Sequence, residues 1–360
     1  MKGKKLAAKI ILGLLLATPY GLTEAGEQSG TIDDSVNKTD SIIITANKYK
    51  DFTPTNIIGY GVYAADSDII NLTGSEITIN AEQFNTELTE IRGAWARDNS
   101  TISLGKSDSI VSVNVKGNSV MALTAIGTNS KLEVNADSLF VNVESTSKAG
   151  YGIHAQNKTQ DIDAPDTAAS VNITANNIVV NSNALGISAF SNGQMNVKGN
   201  LVVNAKNAID TRGNATININ TDGKHTTVLN GDIVFETPYS PDDTQNSGNL
   251  INSNVDINLS GEESSWTGRA YQEYQVKNKE GKYVYIKSAE LDAPDDYDYG
   301  DVIGFKMNIN NGASWNMTGD SFINNVTVEN GGVINVQENV KEFNVGIADN
   351  SDTGGDNSNT

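Results

Sequence analysis

The sequence predicts an all-β protein and, within that class, a right-handed single-stranded parallel β-helix, a solenoid with about three short strands per coil. Three observations support this prediction. Short apolar segments with period-2 alternation recur along the chain, and the corners between them are rich in Asn, Gly and Asp. Only 38% of the residues are hydrophobic and 6% aromatic, which favours a thin, continuous core over a thick globular one.

The first 25 residues have the features of a secretory signal peptide. Four lysines precede the apolar run "IILGLLLA", which is too short to span a bilayer, and "TEA" at 23–25 offers a small-residue cleavage site. Removing four Lys and one Glu changes the net charge from −19 to −19 − 3 = −22. So acidic a chain is expected to repel nucleic acid and to remain soluble after export.

A repeated unit of three strands follows the signal peptide. Its first strand reads small, apolar, variable, small, in "GVYA" at 61, "GAWA" at 93, "ALTA" at 122, "GIHA" at 152, "GISA" at 186 and "AIDT" at 208. Two further strands follow each of these segments, such as "INL" at 70 and "ITI" at 77. An antiparallel sandwich would not repeat a three-strand unit in register, and parallel crossovers favour right-handed winding.

The repeat assigns a direction to the side chains of its first strand. The second position is expected to point inward, one residue per coil, at Val62, Leu123, Ile153, Ile187 and Ile209. The third position is expected to point outward to solvent, at Tyr63, Trp95, Thr124, His154, Ser188 and Asp210. The many Asn residues are expected to occupy left-handed corners and to form amide ladders between equivalent positions of successive coils.

The stretch "GASWNMTGDSFINNVTVENGGVINV" at 312–336 carries a family resemblance. Its Trp strand, Gly-Asp-Ser turn, Val-Thr-Val strand and Gly-Gly turn resemble the late passenger region of bacterial autotransporters, the pertactin- and AIDA-like type V secreted proteins. The segments "SWTGRAY" at 265–271 and "MNINNGASW" at 307–315 are similar to the lead-in of the same family.

The resemblance implies a β-helical passenger domain, over residues 26–345, that is secreted through the periplasm to the cell surface or outer membrane of a diderm bacterium. There it would act as an adhesin or surface-contact rod. Its partners would be an outer-membrane translocator barrel and host or bacterial surface glycans or proteins, and self-association is a further expectation. Residues 346–360 read as a disordered polar tail without barrel strands, so the barrel is expected either in the missing part of a longer chain or in a separate polypeptide.

A Tyr-rich insertion at 266–301 is the candidate binding surface. The segment "YQEYQVKNKEGKYVYIK" predicts a hairpin with its turn at 279–282. Tyrosine offers a large contact area and one hydroxyl for sugar or protein. The candidate residues are Tyr271, Tyr274, Tyr283, Tyr285, Tyr297 and Tyr299.

No catalytic, cofactor-binding or metal residue is assigned, and the chain is not expected to be an enzyme. Its two histidines, His154 and His225, are read as surface residues, and with no cysteine the chain has no thiolate site. The acidic segments 161–166 and 292–301 are read as solvated loops, with calcium binding as the alternative. Two other functions stay open: a polysaccharide-degrading β-helix enzyme, which needs an acidic cluster and a basic residue on one sheet, and an inert structural spacer.

Overall fold

The computed structural model describes residues 27–53, 56–157, 168–237, 253–277, 283–287, 303–323, 325–341 and 343–345. Over these residues the protein is all-β, as predicted, without a helix long and apolar enough to cross a membrane. The predicted signal peptide and C-terminal tail lie outside the described residues. The strands are β1 (Glu27–Ser29), β2 (Val36–Lys38), β3 (Ile42–Thr45), β4 (Lys48–Thr53), β5 (Asn56–Ala64), β6 (Ile69–Leu72), β7 (Glu76–Glu82), β8 (Glu90–Arg97), β9 (Thr101–Leu104), β10 (Ile110–Ile126), β11 (Lys131–Gln156), β12 (Ser170–Ser182), β13 (Leu185–Phe190), β14 (Gln194–Arg212), β15 (Thr216–Ile219), β16 (Thr227–Thr237), β17 (Ser253–Ser260), β18 (Ser265–Gly268), β19 (Ala270–Lys277), β20 (Tyr283–Lys287), β21 (Ile303–Asn310), β22 (Ser314–Met317), β23 (Ser321–Ile323), β24 (Val326–Val328), β25 (Val333–Val336) and β26 (Phe343–Val345).

Most strands pair in three parallel ladders, and strands that follow one another along the chain belong to the three ladders in a fixed order. The first ladder contains β1, β3, β7, parts of β10, β11, β12, β14 and β16, then β18, β22 and β25. The second contains β5, β8, parts of β10 and β11, β13, parts of β14 and β16, and β19. The third contains β2, β6, β9, parts of β11, β12 and β14, then β15, β17, β21 and β24.

Only two pairings between described strands are antiparallel. One joins β4 to β5, and the other joins β19 to β20, with Tyr274 opposite Ile286 and Gln275 opposite Tyr285. The second pair lies in the segment for which the sequence predicts a Tyr-rich hairpin. Its predicted turn, at 279–282, lies outside the described residues.

The inward column of the second ladder follows the prediction. Val62 pairs with Ala94, Ala94 with Leu123, and Leu123 with Ile153, and the column continues through Ile187 and Ile209. All six side chains are fully buried in one continuous core. Because a slip of one residue would turn every inward side chain outward, this apolar column fixes the register between successive strands of the ladder.

Asparagine ladders on the outer face of the first ladder confirm the expected role of Asn. Asn142 donates to Asn114 across 2.9 Å, and Asn181 donates to Asn142 across 3.0 Å. The complete ladder runs through Asn80, Asn114, Asn142, Asn181, Asn204 and Asn230. Other asparagines occupy left-handed corners, where their short polar side chain tolerates a positive φ; these are Asn99, Asn129, Asn192, Asn214, Asn220, Asn311 and Asn330.

A stacked tryptophan pair fills the core in the segment that carries the family resemblance. Trp266 and Trp315 face each other in the first ladder with ring centroids 4.4 Å apart. Both rings are fully buried, and each indole N–H donates to a glycine carbonyl: Trp266 to Gly231 at 2.9 Å and Trp315 to Gly268 at 3.1 Å. These bonds satisfy the polar atom that a buried indole brings into the core.

The core is open at the last described strands of the first and third ladders. Val328 and Val336 continue the inward columns of Ile309 and Met317, yet they are 44% and 56% exposed. No further described strand pairs with β24 or β25 on the far side. This end of the stack therefore presents apolar side chains of the core to its surroundings.

Candidate functional site on the outer face of the second ladder

The outward column of the second ladder is buried, which corrects the expectation for its third positions. Successive strands of the ladder align Tyr63, Trp95, Thr124, His154, Ser188 and Asp210. Tyr63 is 7% exposed, Trp95 3% and the other four at most 1%. The side chains do point away from the core, but long neighbours in the flanking columns fold over them.

Arginine and aromatic side chains form this covering layer. The Arg92 guanidinium lies 3.8 Å from the centre of the Trp95 ring, and that of Arg212 lies 4.3 Å from the Phe190 ring. The Tyr151 ring is centred 4.7 Å from the imidazole of His154. Cation–π and ring contacts of this kind give an outer sheet face a packed layer of its own.

The burial of His154 makes the expectation of a surface histidine wrong. Its Nδ1 lies 2.8 Å from Ser188 Oγ, and its Nε2 lies 3.1 Å from Gln156 Oε1. Because an amide oxygen only accepts, Nε2 carries the proton, and Nδ1 accepts from the serine hydroxyl. Burial, reinforced by the charges of Arg92 and Arg212, lowers the pKa of His154 from 6.5 to about 3, against the opposing effect of the Gln156 bond.

Charged side chains surround the same network. Asn207 donates to Asp210 Oδ2 at 2.9 Å, and Arg212 Nη1 lies 3.2 Å from Glu236 Oε2. Burial, followed by the negative charges of Asp210 and Glu236, raises the pKa of the Tyr151 phenol to about 12. The fold thus brings acidic, basic and neutral polar groups from four successive strands of the ladder onto one face.

A second aromatic cluster extends this face toward the N-terminal coils. Tyr63 lies between Tyr60 and Trp95, with ring centroids 4.9 Å and 4.8 Å away. The Tyr60 hydroxyl donates to Asp33 at 3.5 Å, and Lys50 lies 5.5 Å from the centre of the Tyr63 ring. Burial, followed by the charge of Asp33, raises the pKa of Tyr60 above its ordinary value.

The geometry resembles catalytic machinery in its contacts but offers no access to substrate. A serine that donates to a neutral histidine, itself oriented by an amide oxygen, is the arrangement that activates a nucleophile. Ser188 is 0% exposed and His154 1%, however, so neither can reach a polymer in this conformation. The arrangement is therefore suited to stiffening the sheet face. Among the described residues no group of three or more His, Asp or Glu could hold a metal ion.

The six candidate tyrosines of the insertion are placed differently. Tyr271 is 4% exposed, with its ring 4.7 Å from the Arg269 guanidinium, so its surface is unavailable to a ligand. Tyr274, Tyr283 and Tyr285 lie on the hairpin of β19 and β20. Tyr297 and Tyr299, like the acidic segments 161–166 and 292–301, lie outside the described residues. Ligand binding by the hairpin remains a prediction.

The buried outer layer was missed because alternation alone assigns an outward side chain to solvent. The available signal was the size of nearby residues. Arginine or an aromatic residue recurs two or three residues from the third position, at Arg92, Tyr151, Phe190 and Arg212.

Comparison with models of protein families finds no match. Searches of curated proteins and of solved structures also find no significant match. The function is therefore inferred from the residues and their geometry.

Proposed function

We propose that the chain is the right-handed, single-stranded parallel β-helical passenger of an autotransporter. Secreted through the periplasm, it would be displayed at the cell surface or outer membrane of a diderm bacterium as an adhesin or surface-contact rod. A translocator barrel, in the same chain or a separate one, would be its export partner. Host or bacterial surface glycans or proteins would be its contact partners.

The observation that carries this proposal is the repetition of three parallel ladders from β1 to β25. Parallel strands joined in a fixed order favour right-handed winding, which gives a stiff rod whose length grows with each coil. Each coil contacts only its neighbours, so folding can proceed from one end during export. A rod of this kind, presented in many copies, gains adhesion from many weak contacts.

The packed outer faces add to the argument. Hydrogen-bonded asparagines cover the first ladder, and the aromatic and charged layer covers the second. Both outer layers form a rigid polar surface, so little conformational entropy is lost when a partner binds there. The net charge of −19 is consistent with an exposed, soluble rod.

A polysaccharide-degrading enzyme is the second candidate, because Asp210, Glu236 and Arg212 meet on one sheet face. Against it stands the burial of Asp210, which is 1% exposed. Release of reducing ends from a panel of polysaccharides tests this candidate. Release of reducing ends that is lost in Asp210→Asn would replace the adhesin proposal. If no polysaccharide of the panel is cleaved, the adhesin proposal stands.

Display at the surface is tested by adding protease to intact cells that express the chain together with its native flanking sequence. We expect degradation without lysis of the cells. Protection until the outer membrane is permeabilised would place the chain in the periplasm and contradict the proposal.

Contact is tested by coating beads with the purified chain and counting their attachment to host cells and to bacteria. The triple variant Tyr274→Ser, Tyr283→Ser, Tyr285→Ser probes the hairpin. Tyr49→Ser on β4, 46% exposed, is the matched control. Loss of attachment in the triple variant alone would assign contact to the hairpin. No attachment by the wild-type chain would favour an inert spacer.

A further inference from the structure

The outer face of the first ladder carries a line of apolar side chains in its middle part. Five successive strands contribute to it, namely β10, β11, β12, β14 and β16. Their central outward column contains Ser112, Phe140, Val179, Val202 and Val228. Phe140 and the three valines are half-buried, so each presents part of an apolar side chain to its surroundings.

Uncharged columns flank this central column on both sides. Two residues further along each strand lies the asparagine ladder, with Asn114, Asn142, Asn181, Asn204 and Asn230. Two residues before the central column lie Ile110, Ser138, Asn177, Asn200 and Thr226. We call the three columns together the valine face.

The valine face is uncharged on a strongly acidic chain. None of its residues is Asp, Glu, Lys or Arg, although these make up 19% of the chain and the net charge is −19. Charges begin at its borders, with Glu76 opposite Ile110 on the preceding strand and with Lys116 and Glu144 in the column beyond the asparagines. Two copies of so acidic a chain repel each other, and the repulsion is smallest where uncharged faces meet.

The spacing of the valine face matches that of a second, identical face. Side chains along a column follow at the strand spacing of a parallel sheet, about 4.8 Å. The register from Phe140 to Val228 runs without a bulge. The branched side chains of one column can therefore fit between those of another, as in paired sheets with dry, interdigitated interfaces.

The asparagine ladder reduces the cost of covering this face. Asn142 donates to Asn114 and Asn181 donates to Asn142, and the bonds continue through Asn204 and Asn230. Amides that are already paired within the chain lose less on burial than unpaired ones. A glycan would need these amides as partners and stacks best on aromatic rings, which the central column provides only at Phe140. A second copy of the chain is thus the better match.

We propose that the valine face binds the valine face of a second copy of this chain, in a two-fold symmetric pair with the central columns at its centre. Neighbouring columns lie about 7 Å apart, and five strands span about 19 Å. With the width of the side chains, the pair buries about 1,000 Å² in total, at the lower limit of a specific interface. The dimer is therefore weak and reversible. It forms whether or not the chain is displayed on a cell.

Sedimentation velocity of the full chain, from about 1 μM to about 1 mM, tests the proposal. Wild type should shift from monomer towards dimer as the concentration rises. Val202→Lys places a charge in the central column and should raise the dissociation constant at least about tenfold. Because the added Lys also makes the net charge less negative, general repulsion cannot explain such a loss.

Ser103→Lys is the matched control. It adds the same charge at a half-buried outward position of the third ladder, so dimerisation should not weaken. Urea unfolding of both variants checks that they fold as wild type does. Cross-linking then locates the contact, since the chain contains no cysteine. A short bismaleimide should link two copies of Val202→Cys and should not link Ser103→Cys.

Other outcomes overturn the proposal. A chain that stays monomeric at about 1 mM, or a dimer that Val202→Lys leaves unchanged, would show that the valine faces do not meet. A dimer lost in Val336→Lys and kept in Val202→Lys would place the contact at the last described strands. Binding of neutral chitohexaose by a monomeric chain, abolished in Val202→Lys, would assign the face to a glycan.

The pair and the proposed function fail separately. Protease exposure on intact cells combined with a monomeric chain would refute the pair and keep surface display. A dimer combined with protection from protease on intact cells would refute surface display and keep the pair.

Discussion

The buried imidazole of His154 predicts a specific loss of stability in mild acid. Its pKa falls from 6.5 in an unfolded chain to about 3 in the fold. As the pH drops below 6.5, His154 binds a proton in the unfolded chain but stays neutral in the folded chain. The stabilisation by neutral His154 is therefore complete above pH 6.5 and is lost progressively between pH 6.5 and pH 3.

The magnitude follows from the two pKa values. Their difference corresponds to a total loss of about 5 kcal/mol, at about 1.36 kcal/mol per unit of pKa. Between pH 7 and pH 5 the expected loss is about 2 kcal/mol. This smaller value barely depends on the folded pKa as long as that pKa stays below about 4, so it is the better quantity to measure.

The assay compares urea unfolding of the wild-type chain, His154→Gln and His225→Gln at pH 7, 6 and 5, followed by tryptophan fluorescence. Many carboxylates also titrate in acid, so the informative quantity is the difference between chains. His154→Gln should lose about 2 kcal/mol less than wild type between pH 7 and pH 5. His225→Gln, which removes the other histidine and keeps the His154 network, is the control.

Proton NMR of the two imidazole rings gives a direct check, with each variant identifying its missing signal. A His154 signal that titrates with a midpoint near 6.5 would refute the reasoning. So would identical pH dependence of wild type and His154→Gln. Either result would mean that the imidazole is hydrated or that its protonated form finds a partner in the fold.

Three further predictions concern packing, the asparagine ladder and the open end. Gly268→Ala should lower the free energy of unfolding by about 1–3 kcal/mol, because the added Cβ would meet the Gly231 carbonyl and approach Trp266 Nε1 to 2.7 Å. An unchanged midpoint of urea unfolding would contradict this close approach. Asn142→Ala, in the middle of the asparagine ladder, should lower the free energy of unfolding by about 1–2 kcal/mol. This is about twice the effect of Asn230→Ala at the end of the ladder, because two hydrogen bonds are removed instead of one. Equal midpoints of urea unfolding for the two variants would argue against the ladder. Val336→Lys should reduce concentration-dependent association in sedimentation velocity without loss of stability, whereas a wild-type chain that stays monomeric would remove the basis for self-association at this end.

The sequence was sufficient for the all-β class and for much of the register. Repeated segments with an apolar second position placed Val62, Leu123 and Ile153 in one inward column, because only one register buries them all. The corner and ladder roles of Asn also followed from local chemistry. A short amide tolerates left-handed backbone, and in a parallel in-register stack it meets its equivalent one rung away.

The candidate site could be predicted only in part. Alternation predicted two strands where β19 and β20 pair, but it could not predict the burial of Tyr271 beside Arg269. His154 was assigned to solvent because period-2 alternation reports direction and carries no information about what covers a side chain. Phe190 and Gln156 contact His154 from different positions of adjacent coils, and no single repeat displays such a contact.

By itself the sequence determined which residues face the core, since alternation and burial act within each short strand. Only the tertiary structure decided which outward residues are accessible, because that depends on neighbours contributed by strands about 30 residues apart in the sequence.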